Sequence, residues 1–312
     1  MIYTKGEFMD NKILMCEIAT LYYQKNYTQQ QIADLMHLSR QTVSKLLNDS
    51  INQGIVEIKI NNPLSTKQEL ENKIASAFNL KGCVVAMSSS DNETLKEMTT
   101  TSVAVNYILP MLKEKNLKIG LSWGKTIQTL IDEFLTVKCE NSVVFPLFGA
   151  TDRANSRFSS NELARKFANK IGASVNYAYF PYKPETLDDV ALFKRTNYYK
   201  NMQALWDNID IAIVGIGNKD AISLLEKEFG IANDNLPVSD IATHTFDKDG
   251  NITNVDKNTL CATFENVKSA KKVVAIAYGK NKVDAIISAL KSNAITHFIT
   301  DEETAKAIIN LQ

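Results

Sequence analysis

Residues 28–53 predict two short helices joined by a tight turn, and this motif constrains the fold more than any other feature. Thr28 is placed to cap the first helix, and Gln31 three positions later completes a capping box. Ser39 is placed to cap the second helix after a turn at residues 37–39. The stretch is therefore predicted to be a helix-turn-helix.

Apolar residues at helical spacing indicate which sides of these helices are buried. The buried positions expected in the two helices and their turn are Ile32, Leu35, Met36, Leu38, Val43, Leu46 and Leu47. An upstream helix is expected to complete a three-helix core through Ile13, Ile18, Leu21 and Tyr22. Residues 1–10 are expected to form a loosely ordered arm.

The exposed side of the second helix is polar and basic, with no acid from His37 through Asn48. Such a helix meets base edges in a DNA major groove, where Arg forks onto guanine and Gln onto adenine, while Thr, Ser and Lys reach phosphates or a thymine methyl. The candidate DNA-binding residues are Thr28, Ser39, Arg40, Gln41, Thr42, Ser44 and Lys45. A capped helix pair in an all-α domain, or a protein-interaction module, is the alternative.

Gly54 suits the end of the second helix, and residues 55–60 then alternate at period two before Asn61-Asn62-Pro63. This pattern predicts a wing, so residues 1–62 are expected to be a winged helix-turn-helix domain. The domain carries six basic and six acidic residues, so bulk charge cannot supply DNA affinity. We therefore expect two or more copies of the chain to act together.

Composition excludes several other classes of protein. The four cysteines and three histidines are scattered without ligand spacing, so no metal site, cofactor or disulfide framework is predicted, and the cysteines are expected to be buried. A charged-then-apolar leader and an apolar run of membrane-spanning length are both missing from the sequence. We expect a cytoplasmic protein without a membrane partner.

Residues 63–312 predict a second domain of alternating strands and helices. A helix from Ser65, with Leu70, Ile74 and Phe78 on one side, is expected to link the two domains. Seven β-rich runs then follow, at residues 82–87, 118–122, 142–147, 174–179, 209–216, 272–277 and 297–300. Their alternation with helices predicts a doubly wound, mostly parallel α/β sheet with ligands at the carboxyl ends of the strands.

Four loops after these runs carry candidate binding residues. Residues 122–126 suit an anion cradle at a helix N-terminus, or equally a tight turn with a surface lysine. Residues 149–161 are dense in polar groups that suit a sugar, or a solvated loop in which Ser160 or Asn161 caps a helix. The loop at 215–218 allows close backbone approach, and Lys282 near a helix start suits a phosphate or plain solvent.

Five motifs in this order resemble the SorC family of bacterial sugar-responsive transcription regulators. They are Tyr-Thr-Gln-Gln-Gln-Ile-Ala-Asp-Leu, Ile-Gly-Leu-Ser-Trp-Gly-Lys-Thr, Pro-Leu-Phe-Gly, Val-Gly-Ile-Gly and Tyr-Gly-Lys-Asn-Lys-Val-Asp-Ala-Ile. The resemblance implies a dimeric or tetrameric DNA-binding regulator whose second domain has the sugar-phosphate isomerase fold and binds a phosphorylated sugar. It implies a phosphate cradle at Ser122, Gly124, Lys125, Thr126 and Lys282, and sugar contacts at Gly149, Arg153, Arg157, Asn161, Gly217 and Asp240.

The sequence also departs from the family pattern. One branch of the family has a lysine that forms a Schiff base in the Pro-Leu-Phe-Gly region, where Phe148 stands here, so covalent capture of an aldehyde is not expected. Ala150 and Ser239 replace glycines, which predicts a differently shaped pocket. We expect a regulator, and specifically a repressor, of a carbohydrate operon. The alternative is a sugar-phosphate isomerase or deaminase carrying a helix-turn-helix, with Asp240, His244 and Glu302 as acid and base.

Overall fold

A computed structural model describes residues 5–58, 65–88, 92–150, 159–223, 237–253 and 258–311. The chain divides into two compact units, Met1–Pro63 and Leu64–Gln312. Each unit is described by itself below.

The N-terminal unit contains helices α1 (Lys5–Ala19), α2 (Gln29–Met36) and α3 (Arg40–Asn52), with a π-helical turn at Thr20–Gln24. The predicted caps are confirmed. The Thr28 side chain accepts from the backbone N–H of Gln31, whose own side chain accepts from Thr28, and Ser39 accepts from the N–H of Thr42. His37 ends α2 in the left-handed conformation with φ of 55°, which forms the tight turn.

The core of this unit consists of Met15, Ile18, Ala19, Ile32, Ala33, Val43, Leu46 and Leu47. Leu21, Tyr22, Met36 and Leu38 pack against it from partly buried positions. The predictions for Ile13 and Leu35 were wrong, because these side chains are 55% and 58% exposed. Ile18 is buried as predicted, together with Met15 and Ala19 of α1, and α2 buries Ile32 and Ala33.

Over the residues that the structure describes, two predictions at the ends of the unit were also wrong; residues 1–4 of the expected arm and 59–62 of the expected wing lie outside the described residues. Residues 5–10, expected in a loose arm, belong to helix α1. Within the described part of the expected wing, residues 55–58, the structure has no strand. The N–H groups of Ile55 and Val56 both donate to the Ser50 carbonyl, at 2.8 and 3.1 Å, so the chain folds back over the end of α3. Gly54 permits this turn with φ of +71°.

The C-terminal unit alternates strands and helices as predicted. Its elements begin with α4 (Ser65–Ala77), β1 (Gly82–Ala86), α5 (Glu93–Ile108), β2 (Lys118–Leu121), α6 (Lys125–Glu133), β3 (Val143–Pro146), α7 (Ser160–Ile171), β4 (Ser174–Val175), α8 (Leu187–Arg195) and α9 (Asn197–Trp206). They continue with β5 (Ile211–Gly215), β6 (Ser239–Ile241), β7 (His244–Phe246), α10 (Phe264–Lys268), β8 (Lys272–Ile276), α11 (Val283–Lys291), β9 (His297–Asp301) and α12 (Glu302–Asn310).

Seven strands form one parallel sheet in the order β1-β9-β8-β5-β2-β3-β4, which confirms the predicted class. Strands β6 and β7 form a separate antiparallel pair. From β2 the chain builds outward to β3 and β4, and it then returns to place β5 on the other side of β2. The strand order therefore reverses between β2 and β5.

Helices cover both faces of this sheet because successive strand residues point to opposite sides. In β5, Ile211 and Ile213 pack with α5, α6 and α7 in one core, whereas Ala212 and Val214 pack with α4, α9 and α11 in the other. The same alternation holds in β8. Strands buried on both faces explain the continuous apolar runs of the sequence.

The predicted apolar side of α4 is confirmed, because Leu70, Ile74 and Phe78 lie in a core of the C-terminal unit. Two smaller predictions were wrong. Strand β4 ends at Val175 rather than residue 179, since the backbone of Ala178 hydrogen-bonds the side chain of Asn161 and not a neighbouring strand. All four cysteines are free, but Cys139 alone is fully buried and Cys16 is exposed. No helix of the described segments is long and apolar enough to cross a membrane.

Candidate functional site

The reversal between β2 and β5 places two strand exits side by side. In parallel sheets such a switch point opens a crevice at the carboxyl ends, where ligands bind. Ser122 follows β2 and is 2% exposed, and its hydroxyl accepts from the N–H of Gly215 at 3.2 Å. Ser122 therefore holds the two strand exits together at the base of the crevice.

Helix α6 points its N-terminus at this crevice. Gly124 precedes it with φ of +110°, a conformation that favours glycine. Among the described residues no side chain caps the helix, and its first turn carries no acid. The first N–H groups of a helix have no partner within the helix, and together with the helix dipole they favour an anion.

Gly217 and Asp240 pair across the exit of β5. The Gly217 N–H donates to the Asp240 carbonyl at 3.0 Å, and the Asp240 N–H donates to the Gly217 carbonyl at 3.1 Å. Asp240 is 6% exposed, and burial raises the pKa of its carboxyl to about 6, against the lowering effect of the Thr243 N–H and of Lys282. The oxygens of a carboxyl group suit recognition of hydroxyl groups, because they accept hydrogen bonds.

Lys282 approaches the same exit from the loop after β8. Its Nζ donates to the Ile216 carbonyl at 3.4 Å. Burial lowers the pKa of Lys282, and the charges of Asp240, Lys125 and Glu97 also act on it. Lys125 and Lys282 therefore lie at one end of the sheet. We call Ser122, Gly124, Lys125, Thr126, Gly217, Asp240 and Lys282 the cradle.

The remaining candidates are placed differently. Gly149 packs against backbone, because an added Cβ would lie 2.6 Å from Pro181 and from the N of Tyr182. Asn161 bonds the backbone of Ala178 with both ends of its amide, at 2.9 and 3.1 Å, and neither it nor Ser160 caps α7. These contacts give Gly149 and Asn161 structural roles. Arg153 and Arg157 lie outside the described residues.

The positions that depart from the family pattern also have packing roles. Phe148 is fully buried and packs edge-on against Trp123 and Tyr182, with ring centroids 5.4 and 5.7 Å apart. The Ser239 hydroxyl lies 2.7 Å from that of Ser288, which ties β6 to α11. Both side chains therefore pack their segments, the loop after β3 and strand β6, against neighbouring elements.

Glu97 and Tyr278 border the cradle, and sequence reasoning missed both as site residues. Glu97, on α5, pairs with the Lys125 Nζ at 3.2 Å and accepts from the Tyr278 hydroxyl at 2.9 Å. Burial and the neighbouring Glu97 carboxylate raise the pKa of Tyr278, so this phenol remains a donor. No sequence signal marks Glu97, because it lies inside a helix and not in a loop at the end of a strand.

The proposed acid and base residues are not brought to one site. The His244 ring bonds to the Ala262 carbonyl at 2.9 Å, and burial lowers the pKa of this histidine. Glu302 pairs with Lys306 one turn later on α12. Within the described ranges no group of three or more metal-ligating side chains gathers either.

In the N-terminal unit, Arg40, Gln41 and Lys45 project from α3 as exposed side chains. The hydroxyls of Thr28, Ser39 and Thr42 take part in the helix caps, with the Ser39 and Thr42 oxygens 2.8 Å apart. Ser44 is half-buried. The DNA-facing candidates therefore divide into exposed side chains and residues that fix the helix ends.

A family model described as a sugar-binding domain matches residues 62–310. The chain belongs to the SorC family. The sorbitol operon regulator of Klebsiella pneumoniae is 29% identical to this chain over 97% of it and 99% of the relative. The crystal structure of that full-length regulator superimposes with a TM-score of 0.75 at 27% identity, covering 95% of this chain and 98% of the other.

The deoxyribonucleoside regulator of Bacillus subtilis is 24% identical over 95% of this chain and 97% of its own. Both relatives are named as regulators and neither is named as an isomerase or deaminase, so the comparisons favour a transcriptional regulator over the enzyme alternative. The family resemblance inferred from five short motifs is confirmed over nearly the whole chain.

Proposed function

We propose that this SorC-family regulator binds operator DNA through α3 and a phosphorylated sugar in the cradle, and that the sugar controls DNA affinity. The observation that carries the proposal is the placement of two lysines at the carboxyl ends of the strands: Lys125 begins α6 after β2, and the Lys282 Nζ donates to the Ile216 carbonyl after β5 at 3.4 Å. These groups come from opposite sides of the switch point. Two cations and a helix N-terminus suit a phosphate better than a neutral sugar.

The sugar part of the ligand is assigned to the opposite wall of the cradle. Asp240 offers carboxyl oxygens for hydroxyl groups, and Gly217 makes room for that carboxyl because it has no side chain. The regulators that this chain resembles are named for sorbitol and for deoxyribonucleosides, which supports a carbohydrate-type effector. Phosphate and hydroxyl recognition on adjacent walls fits a small sugar phosphate.

DNA binding is assigned to a homodimer or homotetramer acting as a repressor. Arg40, Gln41 and Lys45 are exposed on α3, but the unit around them is electrically neutral. Doubling the number of α3 helices on one operator supplies the affinity that a single neutral unit lacks. The sugar shifts operator affinity only by its different affinity for the two states of the oligomer.

The test is a titration of the protein–operator complex with sugar phosphates. Labelled DNA fragments from beside the gene are bound to the protein, and anisotropy is followed while each sugar phosphate or its unphosphorylated parent is added. We expect release by one sugar phosphate and no response to its parent sugar. A complex that responds equally to both contradicts the phosphate assignment, and a chain that binds none of the fragments contradicts DNA recognition.

A further inference from the structure

Glu97 places a negative charge at the edge of a site built for anions. Its Oε2 lies 3.2 Å from the Lys125 Nζ, and its Oε1 accepts from the Tyr278 hydroxyl. The Thr129 hydroxyl approaches the same Oε1 at 3.5 Å. The carboxylate is therefore bound by both α6 and the loop after β8.

The two partners of this ion pair are held unequally. The Glu97 side chain is 20% exposed, whereas that of Lys125 is 73% exposed. Tyr278 further restrains Glu97, because its hydroxyl donates to the Glu97 Oε1 at 2.9 Å. Lys125 is consequently the partner that can turn away at small cost, since exposed ion pairs contribute about 0–1 kcal/mol.

One of the two lysines of the cradle is already paired with a carboxylate. Lys125 pairs with Glu97 at 3.2 Å, whereas the Lys282 Nζ donates to the neutral Ile216 carbonyl at 3.4 Å. An incoming phosphate must draw Lys125 from Glu97 and remain close to a carboxylate that Tyr278 holds in place.

We propose that Glu97 is the resting counter-ion of Lys125 and that anion binding exchanges this ion pair for one between Lys125 and the ligand. The inference rests on the proposed function, because it assumes that the ligand presents a phosphate at α6. The phosphate wins the exchange because it also gains the helix N–H groups and Lys282. Glu97 thereby sets the affinity threshold of the site and disfavours weakly bound anions.

The test compares binding of inorganic phosphate to the full-length protein and to Glu97→Gln. Glutamine keeps an oxygen for the Tyr278 hydroxyl but removes the charge. We expect Glu97→Gln to bind phosphate roughly three- to tenfold more tightly at low salt, because a nearby like charge is gone. The gain should shrink at high salt, as charge effects do and packing effects do not. Binding is followed by phosphorus NMR.

Glu93→Gln is the matched control. Glu93 lies one turn earlier on α5, is 87% exposed and approaches Lys96 at 3.8 Å. We expect its phosphate affinity to equal that of the unmodified protein. If the unmodified protein binds phosphate and Glu97→Gln binds it no more tightly, the inference is wrong and the cradle stands. If neither protein binds phosphate saturably, the phosphate cradle of the proposed function fails as well.

Discussion

Asp240 fills the space that a side chain at Gly217 would need. A Cβ built on Gly217 would lie 1.7 Å from Oδ1 of Asp240 and 3.0 Å from the Cβ of Ala221. The reciprocal backbone hydrogen bonds between Gly217 and Asp240 hold these two segments of the chain together. The absence of a side chain at position 217 is therefore what allows a buried carboxyl to lie at the exit of β5.

Gly217→Ala is expected to destabilise the C-terminal unit by about 1–3 kcal/mol, as overpacking of a closely packed site does. The measurement is urea unfolding followed by tryptophan fluorescence, because Trp123 and Trp206 both lie in this unit. Gly215→Ala is the control, since no atom lies within 4 Å of a Cβ there. Equal losses of unfolding free energy in the two variants would contradict the prediction, because they would show that the Asp240 side chain moves aside without cost.

Asp240 should make stability depend on pH. Its pKa rises from 3.8 to about 6 on folding, chiefly through burial, so the folded state holds the proton more tightly. The protonated Asp240 carboxyl therefore adds to the free energy of unfolding. This stabilisation is fully present below the unfolded pKa of 3.8 and is lost as the pH rises through the folded pKa of about 6.

The measurement compares the unmodified protein with Asp240→Asn, which cannot ionise. From about pH 5 to 7.5 the unmodified protein should lose roughly 1–2 kcal/mol of unfolding free energy relative to the variant. Burial lowers the pKa of His244, which changes stability with pH in the opposite direction. This effect is the same in both proteins, so it cancels when the unfolding free energy of the variant is subtracted from that of the unmodified protein. A difference that stays constant with pH would mean that the carboxyl remains ionised throughout.

The sequence predicted the parallel sheet because its strands are continuous apolar runs, each followed by a helix. It also predicted the caps at Thr28 and Ser39, where one side chain satisfies neighbouring backbone groups. These signals are local. The burial of Leu35 and the length of β4 were predicted wrongly. Both depend on which distant segment of the chain packs against these residues, and local sequence patterns do not contain that information.

The sequence indicated only some of the cradle residues, because local signals mark loops at strand ends but not contacts between distant side chains. Loops at strand ends identified residues 122–126 and Lys282, because topology alone brings such loops to one edge. Glu97 reaches that edge from within a helix, and its role depends on a side-chain distance to Lys125. Asn161 was predicted to contact a sugar, but its amide instead forms hydrogen bonds with the backbone of Ala178.

Lys125→Ala is expected to abolish or strongly weaken the effector response while leaving operator binding intact. Loss of one charged hydrogen bond to phosphate costs roughly 1.5–3 kcal/mol, so about ten- to a hundredfold more effector should be needed. Anisotropy of the operator complex measures both properties. Lys115→Ala is the control, because Lys115 precedes β2 and pairs with Glu140 at the opposite edge. An intact response in Lys125→Ala would remove this residue from the cradle.

Arg40→Ala is expected to weaken operator binding by roughly 1–3 kcal/mol if the guanidinium contacts a base. Arg40 is the first residue of α3 and is exposed, while Ser39 and Thr42 keep the helix start in place without it. The loss should therefore appear in DNA affinity and not in unfolding. Competition between operator and random DNA separates two roles, since a base contact lowers the preference for operator and a phosphate contact lowers both affinities equally.

Two comparisons complete the test of α3. Lys73→Ala removes one positive charge from α4, where Lys73 pairs with Glu69, and it should leave operator binding unchanged. Lys45→Ala should weaken operator and random DNA alike and reduce the salt dependence by about one counterion if Lys45 contacts a phosphate. Should Arg40→Ala behave like Lys73→Ala, α3 does not contact DNA through its first turn, and the neutral charge of this unit then argues against the helix as the DNA-reading element.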